Sequence, residues 1–439
     1  MPEAVQRVDW PRERLESYQL DLLRQLLAHA KRHSRWYAET RLSDIDPATA
    51  TPGDLAAIPP TSKAELVDNF DAMLADPRLS LARCEEHLAR EAAGGAYLFD
   101  EYRVSVSGGT SGTRVIGVFG WDAFAHTWNA GMRMVVRWAA RTQALAGPPK
   151  LAAVVAASNV HGSQQLAGIF GRPDTVRIAI TDPMRDVVAA LNAARPDAMV
   201  VYPSVLPTLA HEAAAGRLDI APKFIMCGAE SLLPEHEDAV KRTWRCATAS
   251  VWGATESGNL GCGSGFESGM LLLDDHVIVE PVDEHGQRVE AGQRSAKVYV
   301  TPLHRHALPL IRYELTDQLV LRGEPAKCGS CLTATSNVEG RLDDAFVYGD
   351  VVVNAHLFRS TLSLQKAVLD YQVVQTTDGA RLRVVSVGDF DERAVATTLA
   401  SQLRRIGVEG AVVAIDKVAH IERDPQSTKL RRYVPLPAD

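Results

Sequence analysis

The 439-residue sequence predicts an α/β protein: a large N-terminal domain with parallel sheets flanked by helices, then a small α/β domain at the C-terminus. Three observations carry this expectation. Short apolar runs alternate with helical stretches from Leu151 to Trp252. From Met270 the rhythm changes to longer strand-like runs. From Phe346 a fresh β, α, β, α, β pattern begins and fills about a hundred residues, an ordinary domain size. A βαβα alternation buries its apolar faces in a mostly parallel sheet with helices on both sides.

Each element follows from its own pattern. Leu15, Tyr18, Leu22, Leu23, Leu26 and Leu27 form one apolar stripe, which predicts a helix over Leu15–Leu42. A proline-containing connector spans Pro47–Pro60. Thr61-Ser62-Lys63-Ala64-Glu65 then reads as a helix cap and start, with helical segments continuing to about Ala93. The alternation Tyr102-Arg103-Val104-Ser105-Val106 is a strand. Trp121, Phe124, Ala125, Trp128, Met132, Val135 and Val136 recur at helical spacing, which predicts a helix packed by that face. Strands are expected at Leu151–Ala157, Val176–Ile180, Met199–Tyr202, Phe224–Cys227 and Thr248–Trp252. Helices are expected at Asp186–Ala194, up to Ala215 and at Glu235–Trp244. Further strands are expected at Leu271–Leu273, His276–Pro281, Ala296–Thr301 and Leu319–Arg322. The C-terminal unit reads as strand Phe346–Val353, helix Leu357–Tyr371, strand Arg381–Val387, helix Asp391–Ile406 and strand Ala411–Ile415.

Composition excludes several classes. A chain that is 46% hydrophobic and 23% charged is ordinary globular protein and long enough for a large core. A net charge of −7, with no block of Lys or Arg, argues against a nucleic-acid partner. No apolar run is long enough to span a bilayer, and Met1–Arg7 has no apolar signal core, so a cytoplasmic location is expected. Six scattered cysteines do not suggest a disulfide framework there.

The chemistry concentrates after strands. Ser107-Gly108-Gly109-Thr110-Ser111-Gly112-Thr113-Arg114 packs three glycines and four hydroxyl residues into eight positions. Glycine lets a backbone turn through positive φ and approach a ligand. Successive N–H groups and hydroxyls in such a turn can hold a phosphate. By composition alone the stretch reads sooner as a Gly/Ser/Thr surface turn. Strand ends elsewhere carry Tyr202-Pro203-Ser204, Gly228-Ala229-Glu230 and Trp252-Gly253-Ala254-Thr255-Glu256, where open α/β sheets bind ligands. Asp317 ends the run Pro309–Asp317, Gly340-Arg341-Leu342-Asp343-Asp344 sets two acids after a glycine, and Lys429 lies in a polar, basic tail.

Five of these pieces, in this order, resemble the adenylate-forming ligase superfamily, and the fit is best to its phenylacetate–CoA ligase-like branch. Ser107–Arg114 resembles the ATP loop and Trp252–Glu256 the YGxTE motif. Ile311–Asp317 resembles the stretch ending RYRTGD, Gly340–Asp344 the GRxDD hinge, and Lys429 the C-terminal lysine. Ser34, Trp36, Tyr37, Ile58–Lys63, Gly228–Glu230 and Asp274–Glu280 resemble the branch locally.

The resemblance implies roles. Ser107–Thr113 would wrap the phosphates of ATP, with Arg114 able to supply charge. Gly228, Ala229 and Glu230 would border the adenine through backbone groups, flanked by Trp252, Gly253 and Ala254. Thr255 would contact the α-phosphate and Glu256 would hold Mg²⁺. Asp317 would take the ribose hydroxyls beside Arg341. Asp343 would be the hinge between residues 1–341 and a mobile lid, residues 342–439, and Lys429 would be the catalytic cation. Tyr202, Ser204, Asn159 and His161 would line the substrate pocket.

The implied activity is Mg-ATP-dependent activation of a small, aromatic carboxylic acid, with transfer to coenzyme A, a carrier protein or an amine. Relatives of the same fold activate other oxyanions, such as nitrite for diazotisation of an arylamine, and a non-catalytic nucleotide-binding relative is a further reading. Thr113, Thr316 and Thr428 replace the loop lysine and two glycines of the family pattern, which keeps those alternatives open. Cys328-Gly329-Ser330-Cys331 has zinc-knuckle spacing. The resemblance implies a structural Zn²⁺ held by Cys262, Cys328 and Cys331, with His276 or another group completing the set because the usual histidine position is Leu271. Reduced, unligated thiols are the alternative.

Overall fold

The computed structural model describes residues 2–91, 97–106, 115–145, 147–155, 175–338, 340–341, 344–353, 355–362, 364–365, 367–388, 390–424 and 429–436. The expected α/β architecture is present. Strands β1 (Tyr102–Val106) and β2 (Ile116–Gly120) pair antiparallel. They flank the glycine-rich stretch 107–114, which lies outside the described residues. β3 (Leu151–Val155), β4 (Val176–Ala179), β5 (Ala198–Val201), β6 (Phe224–Cys227) and β7 (Ala247–Ala254) form the parallel run of an eight-stranded sheet. β8 (Gly258–Cys262), β9 (Met270–Leu272) and β14 (Ala334–Thr335) extend it antiparallel, in the order β14-β9-β8-β7-β6-β5-β3-β4. A crossover order of this kind brings the carboxyl ends of β5, β6 and β7 side by side, where ligands bind.

β10 (Val277–Val282), β11 (Lys297–Pro302) and β12 (Tyr313–Leu315) form a second sheet. β13 (Asp317–Gln318) pairs with β15 (Gly340–Arg341), setting Asp317 opposite Arg341. The C-terminal unit has the hairpin β16 (Phe346–Tyr348) and β17 (Val351–Val353). It also has a sheet of β18 (Val368–Thr376), β19 (Gly379–Ser386), β20 (Val412–Lys417) and β21 (Tyr433–Val434), in the order β20-β19-β18-β21. One apolar cluster fills the N-terminal helices and β8–β12, a second the parallel run, and a third draws only on Phe346–Tyr433.

Several local expectations change. The helix expected over Leu15–Leu42 is two, Arg12–His33 and Arg35–Thr40, because Ser34 breaks it and caps the second through its side chain to the Tyr37 N–H. The proline connector contains a helix, Pro52–Ala57, started by a capping box of Thr51 and Asp54. Ser62 and Glu65 form the same device for Lys63–Asp68, as expected. The stretch Leu357–Tyr371 is helical only over His356–Leu362, and β18 begins at Val368. The Leu319–Arg322 strand is reduced to isolated bridges at Val320 and Leu321.

The Trp121–Thr142 helix turns a different face inward. Trp121 is 57% exposed and Val136 42%, whereas Arg133 and Arg137 are buried. Charge pairing explains it. Asp275 Oδ2 accepts from Arg133 Nη1 at 2.6 Å and from Arg7 Nε at 2.7 Å, and Asp9 accepts from Arg137 at 2.6 Å. A buried guanidinium is tolerated when a carboxylate meets it. Burial by itself would raise the Asp275 carboxyl, but the two arginines hold it well below the usual carboxylate range.

Candidate active site

The site is built at the carboxyl ends of the parallel strands. Thr255 and Glu256 occupy the tight turn joining β7 to β8. The turn needs glycine at 253, where a Cβ would come within 2.4 Å of the Gly258 carbonyl. Gly117 on β2 presses against the same turn, since a Cβ there would lie 2.3 Å from the Thr255 carbonyl oxygen. The strand leaving the glycine-rich stretch therefore packs directly on Thr255. Glu256 is buried, and its Oε1 accepts from the Tyr313 hydroxyl at 3.1 Å. Burial, then the Glu256 charge, push the Tyr313 hydroxyl far up, so it stays a neutral donor. Tyr313 is placed by the N-terminal segment: the Thr61 N–H donates to Arg312 O, and the Glu314 N–H to Thr61 O.

Sequence reasoning missed Arg305. It is buried beside Glu256, with its guanidinium 3.5 Å from the centre of the Phe119 ring. Burial pulls its pKa down to about 9, and Glu256 opposes that shift. Its guanidinium nitrogens have no hydrogen-bond partner among the described residues. A lone Arg between two histidines, His304 and His306, carried no pattern that could have singled it out.

The second wall comes from β5 and β6. Tyr202 and Ser204 follow β5 and are buried, and Gly228-Ala229-Glu230 follows β6. Ala229 adopts φ 68°, a left-handed conformation costly for a residue with a Cβ, so this turn is held by its surroundings. The Glu230 Oε2 accepts from Ser204 N at 3.2 Å. Trp252 on β7 is buried. Gly253 and Ala254 continue that strand, and buried Asp317 faces Arg341 across the β13–β15 ladder.

The small domain closes on this wall. Arg423, which sequence reasoning also missed, donates to Glu230 Oε1 at 2.9 Å and to Ser204 Oγ at 2.7 Å. The Leu430 N–H donates to Glu230 Oε1 at 2.9 Å. Lys429 precedes it, with its carbonyl accepting from Asp424 N at 3.0 Å. Arg359 meets Glu235 at 3.4 Å on the same face. Ser204, expected in a substrate pocket, thus contacts the small domain. Arg114, Ser107–Thr113, Asn159, His161 and Asp343 lie outside the described residues, as does the side chain of Arg341.

The zinc site does not form. Among the described residues, no three His, Cys, Asp or Glu side chains converge as metal ligands. The Cys262 thiol is buried, donates to the Gly131 carbonyl at 3.6 Å, and is pushed up to about 12 by burial. His276 Nε2 is 3.0 Å from Thr127 Oγ1. The CxxC turn is fastened by other means. The Cys328 carbonyl accepts from Arg137 at 2.9 Å and from Arg141 at 2.5 Å, while Ser330 Oγ and Cys331 N donate to Val8 O at 2.9 and 3.1 Å. Hydrogen bonds to the Trp121–Thr142 helix and to the Val8 carbonyl fasten the turn.

No protein-family model matches the chain. A phenylacetate–coenzyme A ligase of Thermus thermophilus is 24% identical over 404 residues, covering 85% of this chain and 82% of that protein. Among solved structures, 2-hydroxyisobutyryl-CoA ligase in its postadenylation state superposes with a TM-score of 0.75. That match has 18% identity and covers 98% of this chain and 91% of the other. The chain has the fold of the adenylate-forming ligases. The resemblance read from the sequence, including its phenylacetate–CoA ligase-like branch, is borne out over nearly the whole length. The same 2-hydroxyisobutyryl-CoA ligase in its thioesterification state scores 0.60 over the same 98%. Among the described residues no helix is long and apolar enough to cross a membrane.

Proposed function

We propose that this chain is an Mg-ATP-dependent acid–coenzyme A ligase. It activates a small carboxylic acid, aromatic in our reading, as an acyl-adenylate and passes the acyl group to coenzyme A. The observation that carries the reading is the seat of the small domain: the residue after Lys429 is hydrogen-bonded to Glu230, on the turn expected to border adenine. The 24% identity to a phenylacetate–coenzyme A ligase over most of both chains supports the same reading.

In the first half-reaction a carboxylate oxygen bonds to the α-phosphorus of ATP, and pyrophosphate leaves with the electrons of the broken P–O bond. Two anions meet, so catalysis is positioning plus charge neutralisation. Lys429 supplies a cation that is present only when the domains are closed. Glu256 offers a buried carboxylate whose Oε1 meets a neutral hydroxyl, an oxygen donor suited to Mg²⁺. When bound, Mg²⁺ would neutralise phosphate charge. Thr255 and the stretch 107–114 would meet the phosphates, and Asp317 the ribose. In the second half-reaction the coenzyme A thiolate attacks the acyl carbon and AMP leaves.

The test is pyrophosphate release over a panel of aromatic and short aliphatic acids, with thioester formation followed separately. Acid-dependent pyrophosphate release with a thioester product is expected. Release without a thioester would move the acceptor to a carrier protein or an amine. No release with any acid would overturn the reading.

A further inference from the structure

Glu230 and Arg423 stand 193 positions apart, on different domains, and are joined in one partly buried ion pair. We propose that this pair is a latch that positions Lys429 for adenylation and must open for acyl transfer. The inference rests on the function proposed above for its kinetic side only.

The geometry is that of a clamp. One oxygen of Glu230 receives both the Arg423 guanidinium and the Leu430 N–H, each at 2.9 Å. The other receives Ser204 N at 3.2 Å, and the second nitrogen of Arg423 donates to Ser204 Oγ at 2.7 Å. Two turns of the large domain, after β5 and after β6, thereby hold one segment of the small domain. The Asp424 N–H donates to the Lys429 carbonyl at 3.0 Å. The peptide joining Lys429 to Leu430 is thus held through both its groups, its carbonyl by the Asp424 N–H and its N–H by Glu230.

The contact is charge-assisted and largely shielded from water. The side chains of Arg423 and Glu230 are 16% and 10% exposed, so salt screens them little. Burial would raise the Glu230 carboxyl. Arg423, Ser204, the Leu430 N–H and Arg432 together outweigh that and lower it, so it is charged at neutral pH. Nearby, Arg432 pairs with Asp370 at 3.0 Å within the small domain, which keeps Arg432 from replacing Arg423.

A contact this specific belongs to one domain arrangement. The TM-scores of 0.75 and 0.60 against two states of one ligase fit a small domain that is placed differently in the second. Any such rotation here would carry Arg423 and Leu430 off Glu230 together. Glu230 and Arg423 are thus positioning residues that act through Lys429.

The experiment uses the full chain with Arg423→Met, Arg423→Lys and Glu230→Gln. Hydrogen–deuterium exchange of the peptide holding Leu430 reads the latch without any substrate. Arg423→Met should speed exchange there about tenfold, because the protecting contact opens locally. ATP–pyrophosphate exchange should fall about 10- to 10²-fold, the usual effect of a small misplacement of a reacting group. Transfer from synthetic phenylacetyl-adenylate to coenzyme A should fall much less. Arg423→Lys should restore most of the loss, and Arg423→Met should add little to Glu230→Gln, because both break one contact. Should Arg423→Met fail to fold, Glu230→Gln and Arg423→Lys carry the same comparison.

Unchanged exchange at Leu430 in a folded variant overturns the latch. So does an equal loss in both half-reactions. If the wild-type chain activates no acid, the functional reading fails, and the exchange measurement still decides whether the domains are latched.

Discussion

Asp275 shows how one residue can set a helix face. It receives Arg7 and Arg133 in the interior, and the Trp121–Thr142 helix orients to deliver Arg133 to it. Removing the acid leaves two buried guanidinium groups short of a partner. Asp275→Asn should therefore lower stability by about 3–5 kcal/mol in denaturant unfolding. The folded carboxyl is depressed below its unfolded value, so its contribution is complete above the unfolded pKa. It is lost as pH falls through the folded pKa, which places the loss below about pH 4. The wild-type chain should lose stability steeply on acidification below that pH, and Asp275→Asn should lose less. Glu256 makes the opposite kind of prediction. Its proposed role is charge, not packing, so Glu256→Gln should keep the melting temperature within a few degrees. It should also lower Mg²⁺-dependent pyrophosphate release about 10²-fold. Unchanged release at saturating Mg²⁺ would remove Glu256 from the mechanism.

At the scale of elements, the CxxC turn is the sharpest difference between pattern and packing. Its spacing suits a metal knuckle, yet Arg137, Arg141, Val8 and Ser330 satisfy the turn through backbone carbonyls. Dialysis against a chelator should leave the melting temperature unchanged, and metal analysis should find no stoichiometric zinc. A fall of several degrees would restore the metal, since structural zinc contributes directly to folding. The parallel strands were far more legible. Phe224–Cys227 is the strand that the apolar run predicts, and its neighbours differ at their ends by a residue or two. Both faces of such strands are buried, so each reads as a continuous apolar run bounded by polar residues. The Trp121–Thr142 helix was legible as a helix but not in its orientation. Arginines on the inward face look polar until their carboxylates are located.

For the whole molecule, the decisive feature is the junction between the domains. In the proposed mechanism Lys429 acts on a nucleotide held by the large domain only in the closed arrangement. Lys429→Ala should lower adenylate formation about 10²–10³-fold, as removal of a preorganised charge contact does. Acyl transfer from a supplied adenylate should be much less affected, because in the proposed mechanism it follows after the domains rotate. Arg431→Ala is the control, and it should leave adenylation near the wild-type rate. Equal loss of both half-reactions in Lys429→Ala would show that the lysine does not distinguish the two arrangements.

The sequence by itself determined the class of architecture, the order of the parallel strands along the chain, and the residues that carry a family pattern. These are local properties: apolar periodicity, cap residues, and short motifs read without knowing their neighbours. It could not determine which residues meet across long sequence separations. Glu256 with Tyr313 and Arg305, Arg133 with Asp275, and Glu230 with Arg423 are such pairs. Each joins a charged or polar group that local pattern reads as solvated. Only the folded chain, by excluding water from both partners at once, decided which of them belong together.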